Sequence, residues 1–303
     1  MMKPKSLKAG SRVALIAPSS PVSEGKLQSS LESLKFLRLE PVMFPSCTMK
    51  NGYLSGSDSC RAKDINDAFQ DESIDGIFCI RGGYGATRLL PLIDYSIIKN
   101  NPKIFVGYSD ITALHCVFNK LCGFITIHGP MPNTGYHLMD YYSLQSLSDL
   151  IFSNEAIGIV INPPNEYIET IYPGVAEGII TGGNLSVMVS ALGSPYEIDT
   201  KDKILFIEDV DEPPYRIDRN LTALALAGKL NDCKGIILGT FDNCIESKGE
   251  PTLSLKEIFE EIIVPFKKPT IYNFRSGHIY PQISIPMGAK TYLDATHNIV
   301  KFY

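Results

Sequence analysis

The amino-acid sequence predicts an α/β chain in two parts: a parallel, doubly wound sheet with its helices, then a smaller mixed α/β domain rich in strands. Short apolar, β-prone runs alternate with segments of helical spacing through the first half, which is the pattern of a parallel sheet. Several of those runs end in glycine- or serine-bearing turns, at Pro18, Arg81, Gly107 and His128, which such a topology gathers at one edge. Between residues 154 and 174 the periodicity fades and Pro163, Pro164 and Pro173 appear, so we divide the chain into residues 1–153, a linker at 154–174, and 175–303.

Val13 to Ala17 reads as a first, buried strand ending at Pro18. Ser23 caps a helix with Leu27, Leu31, Leu34 and Leu37 on one face. Pro41 to Phe44 is a second strand, and a helix near Ser59 to Phe69 turns Ile65, Ala68 and Phe69 inward. Gly76 to Ile80 is the third strand, Arg81-Gly-Gly-Tyr-Gly85 the turn after it, and Leu89, Leu90 and Ile93 begin the next helix. Ile104 to Val106 and Gly123 to Ile127 are the fourth and fifth strands, and Tyr141 to Phe152 is helical. Beyond the linker, strands are expected at Glu177–Thr181, Ile204–Glu208, Gly235–Leu238, Thr270–Tyr272, Gln282–Pro286, Lys290–Asp294 and Ile299–Phe302. Helices are expected around Asp218–Leu230 and Leu253–Phe266.

Composition narrows the function classes. The 303 residues carry a net charge of −5, which argues against nucleic acid or an anionic membrane as the main partner. No apolar run approaches a bilayer span, and Val13–Ala17 is too short for the core of a signal peptide. Seven cysteines without a C-x-x-C pair suggest a reducing cytoplasm and no metal site.

The chemistry centres on Gly107-Tyr-Ser-Asp110, a tight turn from strand to helix with a serine at its tip. Such a turn lifts the Ser109 hydroxyl over a helix N-terminus, whose N–H groups and dipole stabilise a developing oxyanion. Ile111 stands where the usual G-x-S-x-G elbow has its second glycine. A serine nucleophile needs a base and an orienter for it. His115, within the following helix, reads as structural, whereas His128, ending the adjacent strand, and His278, in an irregular loop, both qualify as base. Glu208, ending a buried strand, is the best orienting acid. The run Glu208, Asp209, Asp211, Glu212 lacks the spacing of a calcium loop. Arg81-Gly-Gly-Tyr-Gly85 is neither a dinucleotide fingerprint nor a Walker loop, but its glycines permit close backbone approach to a substrate.

Taken in order, these stretches resemble the serine-type LD-carboxypeptidases, or muramoyltetrapeptide carboxypeptidases, with the microcin-immunity peptidases as relatives. The stretches are Leu7 to Ser20, Arg81 to Ala86, Gly107 to Thr112, His128-Gly-Pro-Met131, Gly182-Gly-Asn-Leu185, Phe206-Ile-Glu-Asp209, and Gly277-His278 with Pro281-Gln282. The resemblance implies a Rossmann-like N-terminal domain and a triad of Ser109, Glu208 and His278. It places the oxyanion hole at the N–H groups of Gly83 and Asp110, and implies a cytoplasmic homodimer without metal or cofactor. The substrate it implies is a small murein peptide losing its C-terminal D-alanine, with Arg81 the first candidate to hold the free carboxylate. Two alternatives share these residues: an immunity-type peptidase acting on aminoacyl-nucleotide conjugates, and a peptide-binding module with an inactive triad. A class I amidotransferase-like hydrolase would want cysteine at position 109.

Overall fold

The structure is a computed structural model that describes residues 1–246 and 249–303. The chain forms two compact units, Met1–Glu155 with Ser284–Pro286, and Ala156–Ile283 with Met287–Tyr303.

The first unit contains strands β1 (Arg12–Ile16), β2 (Glu40–Met43), β3 (Gly76–Cys79), β4 (Ile104–Gly107) and β5 (Thr126–His128). Its helices are α1 (Glu24–Phe36), α2 (Asp58–Gln70), α3 (Tyr95–Asn100), α4 (Thr112–Val117) and α5 (Tyr141–Phe152). The five strands are parallel and ordered 2-1-3-4-5. Every residue of β3 and β4 is buried, as a sheet covered on both faces requires. Chain order reverses between β1 and β3, and ligands bind outside the carboxyl ends of strands at such a reversal. The turns at Pro18–Ser20 and Arg81–Gly85 lie there. Behind them Phe69, Phe105 and Phe118 pack ring to ring at 5.1–6.0 Å, a cluster in which one Phe→Ala change costs about 3–5 kcal/mol.

The second unit contributes β6 (Gly158–Val160), β7 (Glu169–Tyr172), β8 (Val175–Asn184), β9 (Ile204–Val210), β10 (Gly235–Asp242), β11 (Thr270–Tyr272), β13 (Lys290–Asp294) and β14 (Ile299–Phe302). Helices α6 (Leu185–Ser190), α7 (Pro214–Leu226), α8 (Lys229–Asp232) and α9 (Leu255–Ile262) accompany them. The sheet order is β6-β14-β13-β8-β9-β10-β11-β7. The first half of β8 pairs antiparallel with β13 and its second half parallel with β9, so this one long strand joins an antiparallel half to a mainly parallel one. Laid flat, eight strands would put the sheet edges about 34 Å apart. The loop joining β6 to β7 contains a turn closed by Glu166 N–H to Pro163 O at 3.1 Å. That turn limits its reach to about 29 Å. The sheet must therefore curl, bringing its edges toward each other.

Three expectations are corrected. Residues 154–174 are not a bare linker: the unit boundary falls at Glu155, and the segment supplies both edge strands. Edge strands are short and half exposed, so they lack the apolar signature of a central one, and the prolines sit in the loop between them. The strand expected at Gln282–Pro286 within the second domain is β12 (Ile285–Met287), which adds to the edge of the first unit's sheet beside β5. Finally, the segment after Gly85 begins as a 3-10 helix, Ala86–Leu92, because Pro91 cannot donate an α-helical bond.

Gly182 adopts φ +124°, and a Cβ there would stand 2.0 Å from the Phe206 carbonyl oxygen. Gly182→Ala should therefore separate β8 from β9 and cost more than about 3 kcal/mol, read as a lowered urea midpoint. An unchanged midpoint would show that the strand pair tolerates the methyl group.

Candidate active site

In the first unit, β4 delivers the chain to Tyr108 in extended geometry, and Ser109 then takes φ +65°, a left-handed conformation that costs a serine about 1–3 kcal/mol. Residues Ser109–Ile111 make one 3-10 turn that runs directly into α4. Two glycines make room for this. At Gly107 a Cβ would meet Ile111 Cγ2 at 2.8 Å, so the missing side chain lets the helix start close behind the strand. At Gly82 a Cβ would stand 2.8 Å from Ser109 Cβ, 3.0 Å from its Oγ and 3.2 Å from the Asp110 nitrogen. The backbone at Gly82 thus lies against the serine. The N–H of Asp110 belongs to the first helical turn, where no intrahelical acceptor exists.

The Asp110 side chain has a different task from its N–H. It is 3% exposed, and Oδ2 accepts from Ser19 Oγ at 2.6 Å and from Ala86 N–H at 2.8 Å. Burial pushes this carboxyl upward, while the two hydrogen bonds and the Arg61 charge pull it back. Arg61 is fully buried, donates to Pro18 O and to Gly85 O (3.0 Å), and is paired with Asp58 at 2.5 Å. Gly83 takes φ +110°, and the Ser20 hydroxyl occupies the space its side chain would fill, 2.4 Å from the ideal Cβ position. Arg81 donates to Pro21 O at 3.2 Å.

His115 is buried between Gly107 O and Thr126 Oγ1, each at 2.8 Å. The carbonyl can only accept, so Nε2 carries the proton and Nδ1 accepts from the threonine hydroxyl. Burial lowers its pKa to about 4, leaving a neutral structural histidine. His128 is also fully buried, edge to face with Tyr108 at 5.9 Å.

In the second unit, two acids stand just before the last residue of β9, and both are buried rather than solvated. They diverge as strand neighbours must. Glu208 Oε2 bonds His278 Nδ1 at 2.8 Å. Asp209 accepts from Asn184 Nδ2 (2.9 Å), Ser186 N–H (3.1 Å), Ser186 Oγ (2.7 Å) and its neighbour's Val210 N–H (2.9 Å). Burial first, and the Glu208 charge second, raise the Asp209 carboxyl to about 6. For His278, burial alone would lower the imidazolium, but the charge and hydrogen bond of Glu208 outweigh it and hold the pKa above 6.5. The preceding Gly277 takes φ +140°. A Cβ there would sit 2.4 Å from Thr240 Oγ1 and 3.1 Å from Glu208 Oε2. The histidine loop is closed on itself by Ile283 N–H to Arg275 O at 2.6 Å, Ser276 Oγ to Ile283 O at 2.8 Å, and Gln282 Nε2 to Gly277 O.

The structure therefore joins two of the expected site residues directly, Glu208 and His278. Within the first unit, Ser109 and Asp110 share one turn against Gly82. Arg88 is bound to Asp58, Arg216 to Glu212, and Arg275 to Tyr280 O, while Arg219 lies over the Tyr215 ring at 5.7 Å. Among the described residues no three of His, Cys, Asp and Glu are grouped to hold a metal ion. Sequence reasoning missed Ser19, Gly82 and Arg61. Arg61 was detectable, since it lies one turn before Ile65 on the inward face of α2, where a charge demands a partner.

Residues 13–129 match the family model for the LD-carboxypeptidase N-terminal domain and residues 177–293 that for its C-terminal domain. A probable murein peptide carboxypeptidase from Bacillus subtilis (strain 168) is 41% identical over 96% of this chain and 91% of its own length. The murein tetrapeptide carboxypeptidase of Pseudomonas aeruginosa is 29% identical over 93% of each chain. The crystal structure of an MccF-like protein from Bacillus anthracis str. Ames superposes with a TM-score of 0.90 at 27% identity, covering 100% of this chain and 99% of that one.

The Gly82 contact yields a sharp expectation. Its φ is ordinary, so Gly82→Ala strains no backbone, and the atoms nearest its methyl group are those of the Ser109–Asp110 turn. Turnover of a peptide substrate should fall by a factor of about 100 or more while the thermal midpoint moves by only a few degrees. Near-normal turnover would show that the methyl group does not disturb the serine.

Proposed function

The chain belongs to the LD-carboxypeptidase family and is a serine carboxypeptidase, and on that premise we propose that it removes the C-terminal D-alanine from murein tetrapeptide through Ser109, His278 and Glu208. The observation that carries this reading is the 2.8 Å bond between the half-buried His278 and the fully buried Glu208. A carboxylate acceptor at Nδ1 puts the imidazole proton there and the lone pair on Nε2, the tautomer a general base needs.

Ser109 Oγ attacks the carbonyl carbon of the L,D-amide as His278 Nε2 takes its proton. The N–H groups of Asp110 and Gly83 stabilise the tetrahedral oxyanion. The imidazolium, held by Glu208, gives the proton to the departing D-alanine amine, and water activated by the same histidine clears the acyl-enzyme. Arg81 is the proposed holder of the free carboxylate. The reading carries with it cytoplasmic recycling of cell-wall peptides by a homodimer. Likeness in fold to the MccF-like structure, and to MccF in complex with glutamyl sulfamoyl guanosine, supports a second reading, a peptidase of aminoacyl-nucleotide conjugates. Challenging the purified protein with both substrate types, followed by mass spectrometry, separates the two.

Ser109→Ala should abolish D-alanine release with the fold retained, and His278→Ala should cost nearly as much, because the members of a triad act as a unit. Release within a few-fold of wild type by Ser109→Ala would remove it as nucleophile. The pH dependence follows from His278. The base works when neutral, so kcat/KM should rise with pH along a limb centred above 6.5, and Glu208→Gln should move that limb to lower pH. The same raised pKa contributes stability below about pH 6.5 that is lost as pH rises through the folded-state value. A limb unmoved by Glu208→Gln would assign it to another group.

A further inference from the structure

Beside the nucleophile turn, still within the first unit, two large aromatic side chains face solvent. Tyr53 is 64% exposed and Tyr84 50%, and their rings meet edge to face, with centroids 5.6 Å apart and planes inclined at 62°. Backbone bonds fix both. Tyr84 follows Gly82 by two residues, at most about 7 Å of chain, and its N–H donates to Ser20 Oγ at 3.2 Å. Tyr53 tips a turn in which Asn51 and Leu54 exchange backbone bonds of 2.8 and 3.1 Å, and the next N–H, of Ser55, donates to Ser19 O at 3.0 Å. Single exposed aromatics are unremarkable on a protein surface. Here two are paired and anchored to Ser19 and Ser20, the turn that also holds Asp110.

We propose, on the carboxypeptidase reading above, that Tyr53 and Tyr84 form a subsite for the amino-sugar ring of sugar-bearing murein peptides. A pyranose offers a face of C–H groups, slightly positive, that suits the negative face of a tyrosine ring, while its hydroxyl and acetamido groups suit the phenol oxygens at the rim. Two rings inclined at 62° cannot both lie parallel to one flat base, so they do not make a sandwich for a nucleobase. They make a corner, which a chair-shaped ring fills. Reach agrees with this. In a muramoyl-tetrapeptide a lactyl group and three residues separate the sugar from the scissile carbonyl, more than about 10 Å of extended chain. That is enough to span the at most about 7 Å of backbone from Gly82 to Tyr84 and the tyrosine side chain beyond it. On the other side of the scissile bond the substrate ends after one alanine and a carboxylate, which two tyrosine faces do not complement.

Two measurements test this. In the first, kcat/KM is compared for muramoyl-tetrapeptide and free tetrapeptide. The wild type should favour the sugar-bearing substrate about tenfold, Tyr53→Phe, which keeps the ring face and loses one phenol oxygen, should keep most of that ratio, and Tyr53→Ala should bring it close to one. A ratio of one in the wild type, or one unaltered by Tyr53→Ala, overturns the subsite. In the second, calorimetry on Ser109→Ala compares binding of muramoyl dipeptide with that of the bare dipeptide, so no turnover is needed. About tenfold tighter binding of the sugar-bearing ligand, lost on adding Tyr53→Ala, supports the subsite even if the wild type cleaves neither tetrapeptide, a result that would sink only the carboxypeptidase reading. Equal binding of the two ligands overturns the subsite. So does tighter, Tyr53-dependent binding of an aminoacyl nucleotide, which would assign the corner to a base.

Discussion

The carboxylate of Asp110 is buried beneath the Ser109 turn and collects donors from the turns that follow two other strands, Ser19 after β1 and Ala86 after β3. A hydrogen bond to a charged, buried acceptor is worth about 1.5–3 kcal/mol, so the two together match or exceed the about 1–3 kcal/mol that the left-handed conformation of Ser109 costs. The arrangement works because each part leaves the next no freedom. Arg61 ties the same two turns together through Pro18 O and Gly85 O and sets a positive charge near the acid. Removing any one of these groups strands a polar partner away from water, so the turns hold or fail together.

The second unit meets a related problem in another way. Two adjacent carboxylates lie near the end of β9, and their mutual repulsion is accommodated because strand geometry sends them to separate partners. Glu208 takes His278, while Asp209 takes the start of α6, where Asn184 both caps the helix and donates to the acid. The histidine loop then needs a residue without a side chain beside Glu208, and Gly277 supplies it. Rigid, hydrogen-bonded surroundings of this kind fix an imidazole's tautomer as well as its position.

How much of this was legible depended on whether a feature leaves a local mark. The five parallel strands announced themselves as apolar runs, and the Ser109 turn did so by its position between a strand and a helix. Glu208 showed as an acid at the end of a buried strand. The choice between His128 and His278 as base could not be made from spacing, since the partner of each is set by packing across many residues. Gly82 and Gly83 are likewise indistinguishable in the string Arg-Gly-Gly-Tyr. Only three dimensions reveal that one lies against Ser109 and the other against Ser20. The edge strands β6 and β7 escaped notice because exposure on both sides removes the alternation that marks a half-buried strand.

Strand β12 adds a matter of timing. The sheet that carries Ser109 is finished not by its own first 155 residues but by a short return of the chain at Ser284–Pro286. During synthesis at about 5–20 residues per second, roughly 130 residues must emerge between the last helix of the first unit and its sixth strand, a wait of about 6–26 s. Through that interval β5 presents a bare edge, the kind of template on which nascent chains pair wrongly. Residues near the end of the chain thus decide when residues near its beginning are complete, and a chain cut short before Ser284 would leave the sheet that carries Ser109 open on one side.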